Sequence, residues 1–221
     1  MSSASIERIG IDESGKGDYF GPLVIAAVFV DATTQDELAL MAVRDSKKIS
    51  DGRILELAPD IKTICPHSVI VIGPQKYNEL YLKIRNLNRL LAWGHAKALE
   101  TLLERVSCAR AISDQFGDER LILNALQEKG RKIVLEQRTK AESDMAVAAA
   151  SILARAEFLI RLKRLSDEVG TTLPKGASPT VELAARMVMK KHGRERLDSI
   201  AKLHFKTTRA VLSQASTPQP L

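Results

Sequence analysis

RIGIDESGKGDYFGPLVIAAVFV, residues 8–30, contains two apolar stretches joined by ESGKGDYFGP, a connection with three glycines and a proline. The stretch from Arg8 to Asp12 reads as a short strand ending on acidic residues. LVIAAVFV at 23–30 is a nearly continuous apolar run rich in β-branched residues, as expected of a second strand. Glycine and proline between them mark a tight strand-to-strand connection. The chain therefore opens on a sheet and places Asp12 and Glu13 at a strand end.

Outward from this pair, residues 37–42 have the pattern of a short helix, the polar RDSKKISDG that of a loop, and residues 53–58 that of a further helix. SVIVI at 68–72 is a third strand closed by Gly73-Pro74. From 75 to 106 the apolar residues recur three or four apart, which predicts two helices divided near 86–88. A fourth strand at 109–113 delivers Asp114 at its end, a helix is expected within 119–128, and a fifth strand at 131–136. Strand, helix, strand at this spacing is a βαβ unit. An alanine-rich helix follows at 146–165, and Ser178-Pro179-Thr180 starts another over 181–192. The expected architecture is α/β: a five-stranded mixed sheet flanked by helices, with a helical C-terminal region.

A chain of 221 residues, 45% of them hydrophobic, is long enough to bury one core. One domain over 1–212 is expected, with a flexible tail at 213–221, where the sequence turns to small and polar residues. Cys65 and Cys108 lack CxxC spacing and read as reduced core residues. The first residues lack the basic and apolar pattern of a leader, and no segment offers the roughly eighteen apolar residues that cross a bilayer. A cytoplasmic, monomeric protein without membrane partners is expected.

The net charge of +6 is unevenly placed. Residues 1–150 carry 20 Lys+Arg against 21 Asp+Glu, and residues 151–221 carry 13 against 6. The basic last third, with Arg161, Lys163, Arg164, Lys190, Lys191, Arg194, Arg196, Lys202, Lys206 and Arg209, suits a polyanion backbone. The same cations would serve equally to solvate helix faces. Aromatics are only 4% of the chain, which disfavours a single-strand stacking platform and favours a duplex gripped by its phosphates.

Neighbouring side chains on a strand face opposite ways, so Asp12 and Glu13 converge on one ion only at a strand end, which the glycine-rich connection supplies. A parallel neighbour would bring Asp114 within reach of Asp12. Crowded carboxylates raise one another's pKa unless cations sit between them. Hard oxygen ligands suit Mg²⁺ or Mn²⁺, and two ions roughly 4 Å apart would activate a water and steady the leaving oxygen of a phosphodiester. A fourth acid should come from the start of the alanine-rich helix, where Glu142 and Asp144 both stand. Either would serve equally as a first-turn acid favouring the helix dipole. None of the four histidines has ligand spacing, and structural or surface roles are expected for them.

Gly15-Lys16-Gly17 is too short to count as a phosphate loop alone. Beside the acidic pair, its glycines would let the backbone approach a sugar-phosphate strand, where main-chain groups reading a 2′-hydroxyl would tell RNA from DNA. Asp45-Ser46-Lys47-Lys48 alone would be an ordinary polar turn.

Taken together, these blocks resemble the ribonuclease HII and HIII family, and HIII more closely. GIDESGKGDYFGPLV (10–24) looks like the HIII form of the first motif, with GKG where ribonuclease HII typically has GRG. DSKKIS (45–50), YNELY (77–81), NRLLAWGHAKAL (88–99), SDQF (113–116), KAES with AVAAASILAR (140–155), LPKGAS (173–178) and AKLHF (201–205) follow in family order. The resemblance implies an RNase H-like fold and endonucleolytic cleavage of the RNA strand of RNA/DNA hybrids, leaving 5′-phosphate and 3′-hydroxyl ends. It implies a four-carboxylate site for two Mg²⁺ or Mn²⁺ ions. Asp12, Glu13 and Asp114 match the first three catalytic positions. KAES resembles the K-[AG]-D-S segment of ribonuclease HII, which puts the fourth on Glu142 and leaves Asp144 the weaker candidate. Gly15, Lys16 and Gly17 would lie against the hybrid, with Lys47, Lys175 and Gly176 as further substrate contacts.

Ribonuclease HIII proteins usually carry an N-terminal domain resembling a TATA-binding protein, whereas this chain begins about ten residues before Asp12. The resemblance thus covers the catalytic domain, and salt-sensitive hybrid binding through the basic last third is expected. The alternative is a catalytically silent module of the same fold that binds a hybrid or duplex. A third reading, a DNA nuclease of the broader RNase H-like group, is disfavoured by the HIII-type blocks.

Overall fold

Strand β1 (Arg8–Ser14) runs through the middle of a five-stranded sheet ordered β3-β2-β1-β4-β5, with β2 at Leu23–Val30, β3 at His67–Ile72, β4 at Arg110–Asp114 and β5 at Val134–Arg138. The computed structural model describes residues 6–215 apart from positions 45, 116, 118–119 and 127–129. β1 pairs antiparallel with β2 and parallel with β4, and β4 pairs parallel with β5. The sheet is mixed, as the element order implied. Ile9, Ile11 and residues 23–28 are wholly buried, which is why the central strands read as apolar runs without alternation.

Helices α1 (Ala32–Leu40), α2 (Asp51–Ile64), α3 (Pro74–Ile84), α4 (Leu87–Leu103), α5 (Arg120–Ala125), α6 (Met145–Val169), α7 (Pro179–Ile200) and α8 (Lys206–Ala215) complete the order. The division between α3 and α4 falls where expected, because Arg85 turns left-handed (φ 49°) and Asn86 caps α4 by accepting from the Arg89 N–H. The fifth strand starts later than its apolar pattern suggests, since Gly130–Lys132 forms a 3-10 turn. α2 runs well past the expected end, through Pro59. α8 carries the chain in helical form through Ala215, into what reads as tail. The remainder of that tail, 216–221, lies outside the described residues.

The chain divides into two compact units: Met1–Ser14, Val24–Val71 and Asn86–Glu157 form the first; Gly15–Leu23, Ile72–Arg85 and Phe158–Leu221 the second. The sheet belongs almost entirely to the first unit. There the alanines of α6 are buried, and their small size lets the helix start rest directly on β1. A Cβ on Gly10 would stand 2.1 Å from the Ala146 carbonyl carbon and 2.2 Å from the Val147 nitrogen. Neither is a side chain that can swing aside.

In the second unit, Tyr19, Phe20, Tyr77 and Phe158 are buried around the connection that follows Ser14. Asn78 of YNELY binds the carbonyls of Asp198 and Ala201 and accepts from the Leu203 N–H, tying α3 to the AKLHF block. Lys202 is fully buried. Its ammonium donates to the carbonyls of Asp18 (2.8 Å), Gly21 (2.6 Å) and Phe20 (3.4 Å), and its own N–H bonds to Tyr19 O. Burial pulls this lysine down to about 7 and Asp18 opposes it, while three carbonyl oxygens around one nitrogen suit the charged form. Lys202 therefore leaves the set of cations available to a phosphate backbone. Cys65 is buried and its thiol is pushed up to about 12; Cys108 is half-buried, a less interior place than its sequence suggests, and both are free thiols.

Gly10→Ala is expected to cost roughly 2–4 kcal/mol, because the added methyl must push a helix backbone off a strand backbone. Urea unfolding monitored by circular dichroism measures this, and a loss below about 0.5 kcal/mol would contradict the packing.

Candidate active site

β1 and β4 are paired Ile9 to Ala111, Gly10 to Ile112 and Ile11 to Ser113. One step further in the same direction come Asp12 and Asp114, which the parallel register therefore sets side by side; Asp114 ends β4, whereas β1 runs on through Ser14, past the strand end expected at Asp12, because its pairing with β2 continues to Val24. Burial pushes the Asp12 carboxyl well above the usual carboxylate range, and the charges of Glu13 and then Asp114 push it further. A hydrogen bond from the Glu13 N–H (2.8 Å) and the Lys47 ammonium oppose the rise.

Asp114 accepts from the Ala141 N–H (3.2 Å), which brings the 3-10 turn Ala141–Ser143 against the end of β4. Lys140, in the left-handed region at φ 58°, turns the chain into this position. Glu142 on the turn has one oxygen 3.5 Å from Lys47 Nζ, while its other oxygen, Oε2, is buried with no hydrogen-bond partner among the described residues. Asp144, two residues on, is fully employed otherwise. Its side chain accepts from Arg8 Nε at 2.7 Å and from the Ala146 N–H at 2.9 Å, and its backbone is extended, so it caps α6. The two acids that sequence reasoning left open are thus separated by partner: Asp144 holds the helix, and Glu142 faces Lys47 with an unsatisfied oxygen.

Lys47 lies in the 3-10 turn Ser46–Lys48, pinned to α6. The Ser46 N–H donates to Ser151 Oγ (3.3 Å), and Arg155 binds the Ser46 carbonyl and, at 2.5 Å, Asp51. Ser151 and Arg155 carry no sequence signal beyond their place in AVAAASILAR. Asp45 of the same block is outside the described residues.

His95 is one of the four histidines expected to have structural or surface roles. It lies fully buried on α4, with Nε2 3.0 Å from Glu13 Oε2 and Nδ1 3.1 Å from Ser113 Oγ. Its one sequence signal, a polar residue in the apolar helix LLAWGHAKAL, does not say what its partners are.

The remaining sequence candidates lie in the second unit. Gly15 takes φ +89°, and a Cβ there would stand 2.1 Å from the Pro22 carbonyl oxygen, so glycine is required. Gly17 is exposed, with open space where a Cβ would be. Gly176, at φ +81°, donates its N–H to Asp18 (2.6 Å) and accepts from the Tyr19 N–H (2.9 Å), so the Gly15-Lys16-Gly17 connection and the Lys175-Gly176 loop are tied together. Much of the basic last third is internally paired: Lys163 with Asp167, Arg164 and Arg196 with Glu168, Arg186 with Glu182, and Arg194 with Asp198. Those acids are already counted in the 13-against-6 balance, so the pairing leaves the regional excess unchanged and ties these five cations to fixed neighbours.

Among the described residues, no three His, Cys, Asp or Glu side chains stand close enough to enclose a metal ion. The donor chemistry nonetheless fits a hard divalent cation. The candidates are all carboxylates, burial and then its acidic neighbours hold the Asp12 carboxyl above the usual carboxylate range, and Glu142 buries an oxygen with no hydrogen-bond partner among the described residues.

An α/β protein of RNase H-like fold, with Asp12 and Asp114 side by side on two parallel central strands, is what the sheet defines. The chain belongs to the ribonuclease HII family, whose sequence model, described as Ribonuclease HII, matches residues 9–208. Ribonuclease HIII of Protochlamydia amoebophila is 50% identical over 94% of this chain and 69% of its own length. Ribonuclease HIII of Chlamydia felis is 45% identical over 95% of this chain and 71% of its own. The crystal structure of Bst-RNase HIII in complex with Mn²⁺ superposes with a TM-score of 0.89 at 36% identity, covering 97% of this chain and 72% of that one.

Replacing the two neighbouring acids should separate their roles. Asp144→Ala is expected to lose roughly 1–3 kcal/mol through the cap and the Arg8 pair, with Mn²⁺ binding retained. Glu142→Ala should keep its melting temperature and lose Mn²⁺ affinity by calorimetry; the reverse outcome would exchange the assignments.

Proposed function

We propose that Asp12, Glu13, Asp114 and Glu142 are the hydrolytic centre of this ribonuclease H, an endoribonuclease that cuts the RNA strand of RNA/DNA hybrids and leaves 5′-phosphate and 3′-hydroxyl ends. The observation that carries the reading is the parallel pairing of β1 with β4 in a chain of the ribonuclease HII family, which lines up Asp12 and Asp114. Two bound Mg²⁺ or Mn²⁺ ions would supply an activated water and neutralise charge on the leaving oxygen.

The chain's own residues do the rest. Asp12 stands within β1 and Asp114 ends β4, so their carboxylates are offered from rigid strands with little freedom left to lose. Lys47 sits against Glu142 and within the field of Asp12, where its charge offsets the acids and would also attract a phosphate. Gly15, Lys16 and Gly17, with Lys175 and Gly176, form the substrate-contacting surface in this reading. Exposed main chain at Gly17 suits close approach by a sugar-phosphate strand, and a 2′-hydroxyl there would find backbone groups to pair with. The exposed Lys190, Lys206 and Arg209 are candidates for outlying phosphates. A cytoplasmic monomer completes the reading: among the described residues no helix is long and apolar enough to cross a membrane. A size-exclusion mass of one chain is expected.

Cleavage of an end-labelled RNA/DNA hybrid should require Mg²⁺ or Mn²⁺, stop in EDTA, and fall by roughly two to three orders of magnitude in Asp12→Asn. Activity surviving EDTA, or a gel shift with no product under any metal, would overturn the hydrolytic reading and favour a binding module. Two substrates, one with a single embedded ribonucleotide and one with a run of them, test the HIII character. The run should be cut faster.

Hybrid binding should weaken steeply as salt is raised from 50 to about 200 mM, because the grip is on phosphates. A fluorescence-anisotropy titration in Ca²⁺ measures it, and a flat response would reject a phosphate-led interface.

A further inference from the structure

α4 presents an apolar face to the sheet: Leu91, Ala92, Ala98 and Leu99, one turn either side of His95, are all buried. An imidazole in such surroundings is tolerated only if both nitrogens find partners. Those partners come from the two strands that carry the acids. Nε2 meets Glu13 Oε2 at 3.0 Å, and Nδ1 meets Ser113 Oγ at 3.1 Å, with Ser113 Oγ a further 3.1 Å from the Asp114 carbonyl oxygen. A carboxylate only accepts, so the hydrogen between His95 and Glu13 lies on Nε2. The ring is fixed from behind by Ser113 and points its Nε2–H at one oxygen of Glu13.

We infer that His95 is a positioning residue for the metal-binding carboxylates: its Nε2–H holds the Glu13 side chain in the plane in which its other oxygen is offered to a divalent cation. His95 is not itself a ligand, because the nitrogen on the acidic side is taken by Glu13. The inference rests on the reading of Glu13 as a ligand. Its physical basis is that groups hydrogen-bonded behind a metal ligand fix the ligand's orientation before the ion arrives, and losing one typically weakens metal affinity or activity by roughly 10–100-fold. Glu13 has particular need of such support. It lies next to Asp12 within β1, where alternation aims neighbouring side chains apart.

The test measures Mn²⁺ affinity of the full chain by calorimetry without hybrid, together with kcat and KM for a labelled hybrid at saturating and limiting Mn²⁺. His95→Leu fills the same space and has no donor. It should bind Mn²⁺ roughly 10–100-fold more weakly, lose kcat at limiting Mn²⁺, recover much of it at high Mn²⁺, and leave KM for the hybrid unchanged. His95→Gln, whose amide N–H reaches the position of Nε2, should restore affinity to within a few-fold. A purely structural histidine predicts the opposite pattern, with loss of melting temperature in both variants and no change in Mn²⁺ affinity. If the leucine variant does not fold, Ser113→Ala takes its place. That change leaves the ring in the core, frees it to tilt, and should weaken Mn²⁺ binding several-fold; unchanged affinity there overturns the inference.

Glu13→Gln, run alongside, separates the two levels of argument. Should it bind Mn²⁺ normally, the ligand reading of Glu13 fails and the role of His95 with it. Should it bind weakly while His95→Leu binds normally, only the His95 inference fails. With both correct, adding His95→Leu to Glu13→Gln weakens binding little beyond Glu13→Gln alone, since the histidine acts through that side chain.

Discussion

The start of α6 rests on β1 with no side chain between them, because position 10 is glycine and the helix brings alanines to the contact. That approach determines where every later element of the first unit can go. With the helix backbone against the strand, the 3-10 turn just before α6 falls at the end of β4, and the Ala141 N–H reaches Asp114. Glu142 is then carried to the same edge as Asp12 and Asp114, and Asp144 is left to cap the helix and pair with Arg8. A single methyl at position 10 would act on all of these together.

Gathering acids at a strand edge has an electrostatic cost, and the structure offsets it with groups that are themselves anchored. Lys47 reaches Glu142 and Asp12 from a turn pinned by Ser151 and Arg155 of α6. His95 reaches Glu13 from a dry helix face, and Arg8 neutralises Asp144. The rise that remains at Asp12 is what a divalent cation would relieve.

Much of this was legible in advance. Apolar runs leading into Asp12 and Asp114, with a glycine-rich connection after the first, were enough to place the strands that carry them, because strand burial and turn chemistry are local properties. The order of blocks from GIDES to AKLHF carried the family. Less legible were the cations. Composition made the last third look uniformly available to a polyanion, yet Lys202 is buried against three carbonyls and five other basic side chains are held by acids one turn or one helix away. Counting charges cannot detect pairing that depends on which helix faces meet. His95 escaped for a similar reason, since a histidine inside an apolar helix looks the same whether its partners are inert or acidic.

By itself, the sequence determined the strands, the mixed sheet and the family, and it marked Asp12, Glu13 and Asp114 as candidates, all of which follow from periodicity, burial tendency and short motifs along the chain. Only the tertiary structure gave Asp144 to Arg8 and the start of α6 and set Glu142 against Lys47, brought Ser151 and Arg155 behind Lys47, withdrew Lys202 from solvent and put His95 behind Glu13. The reason is physical: each of those assignments depends on which polar atom finds a partner across a distance of many residues, and hydrogen-bond partnership is a property of packed surfaces, with no period or spacing to read in advance.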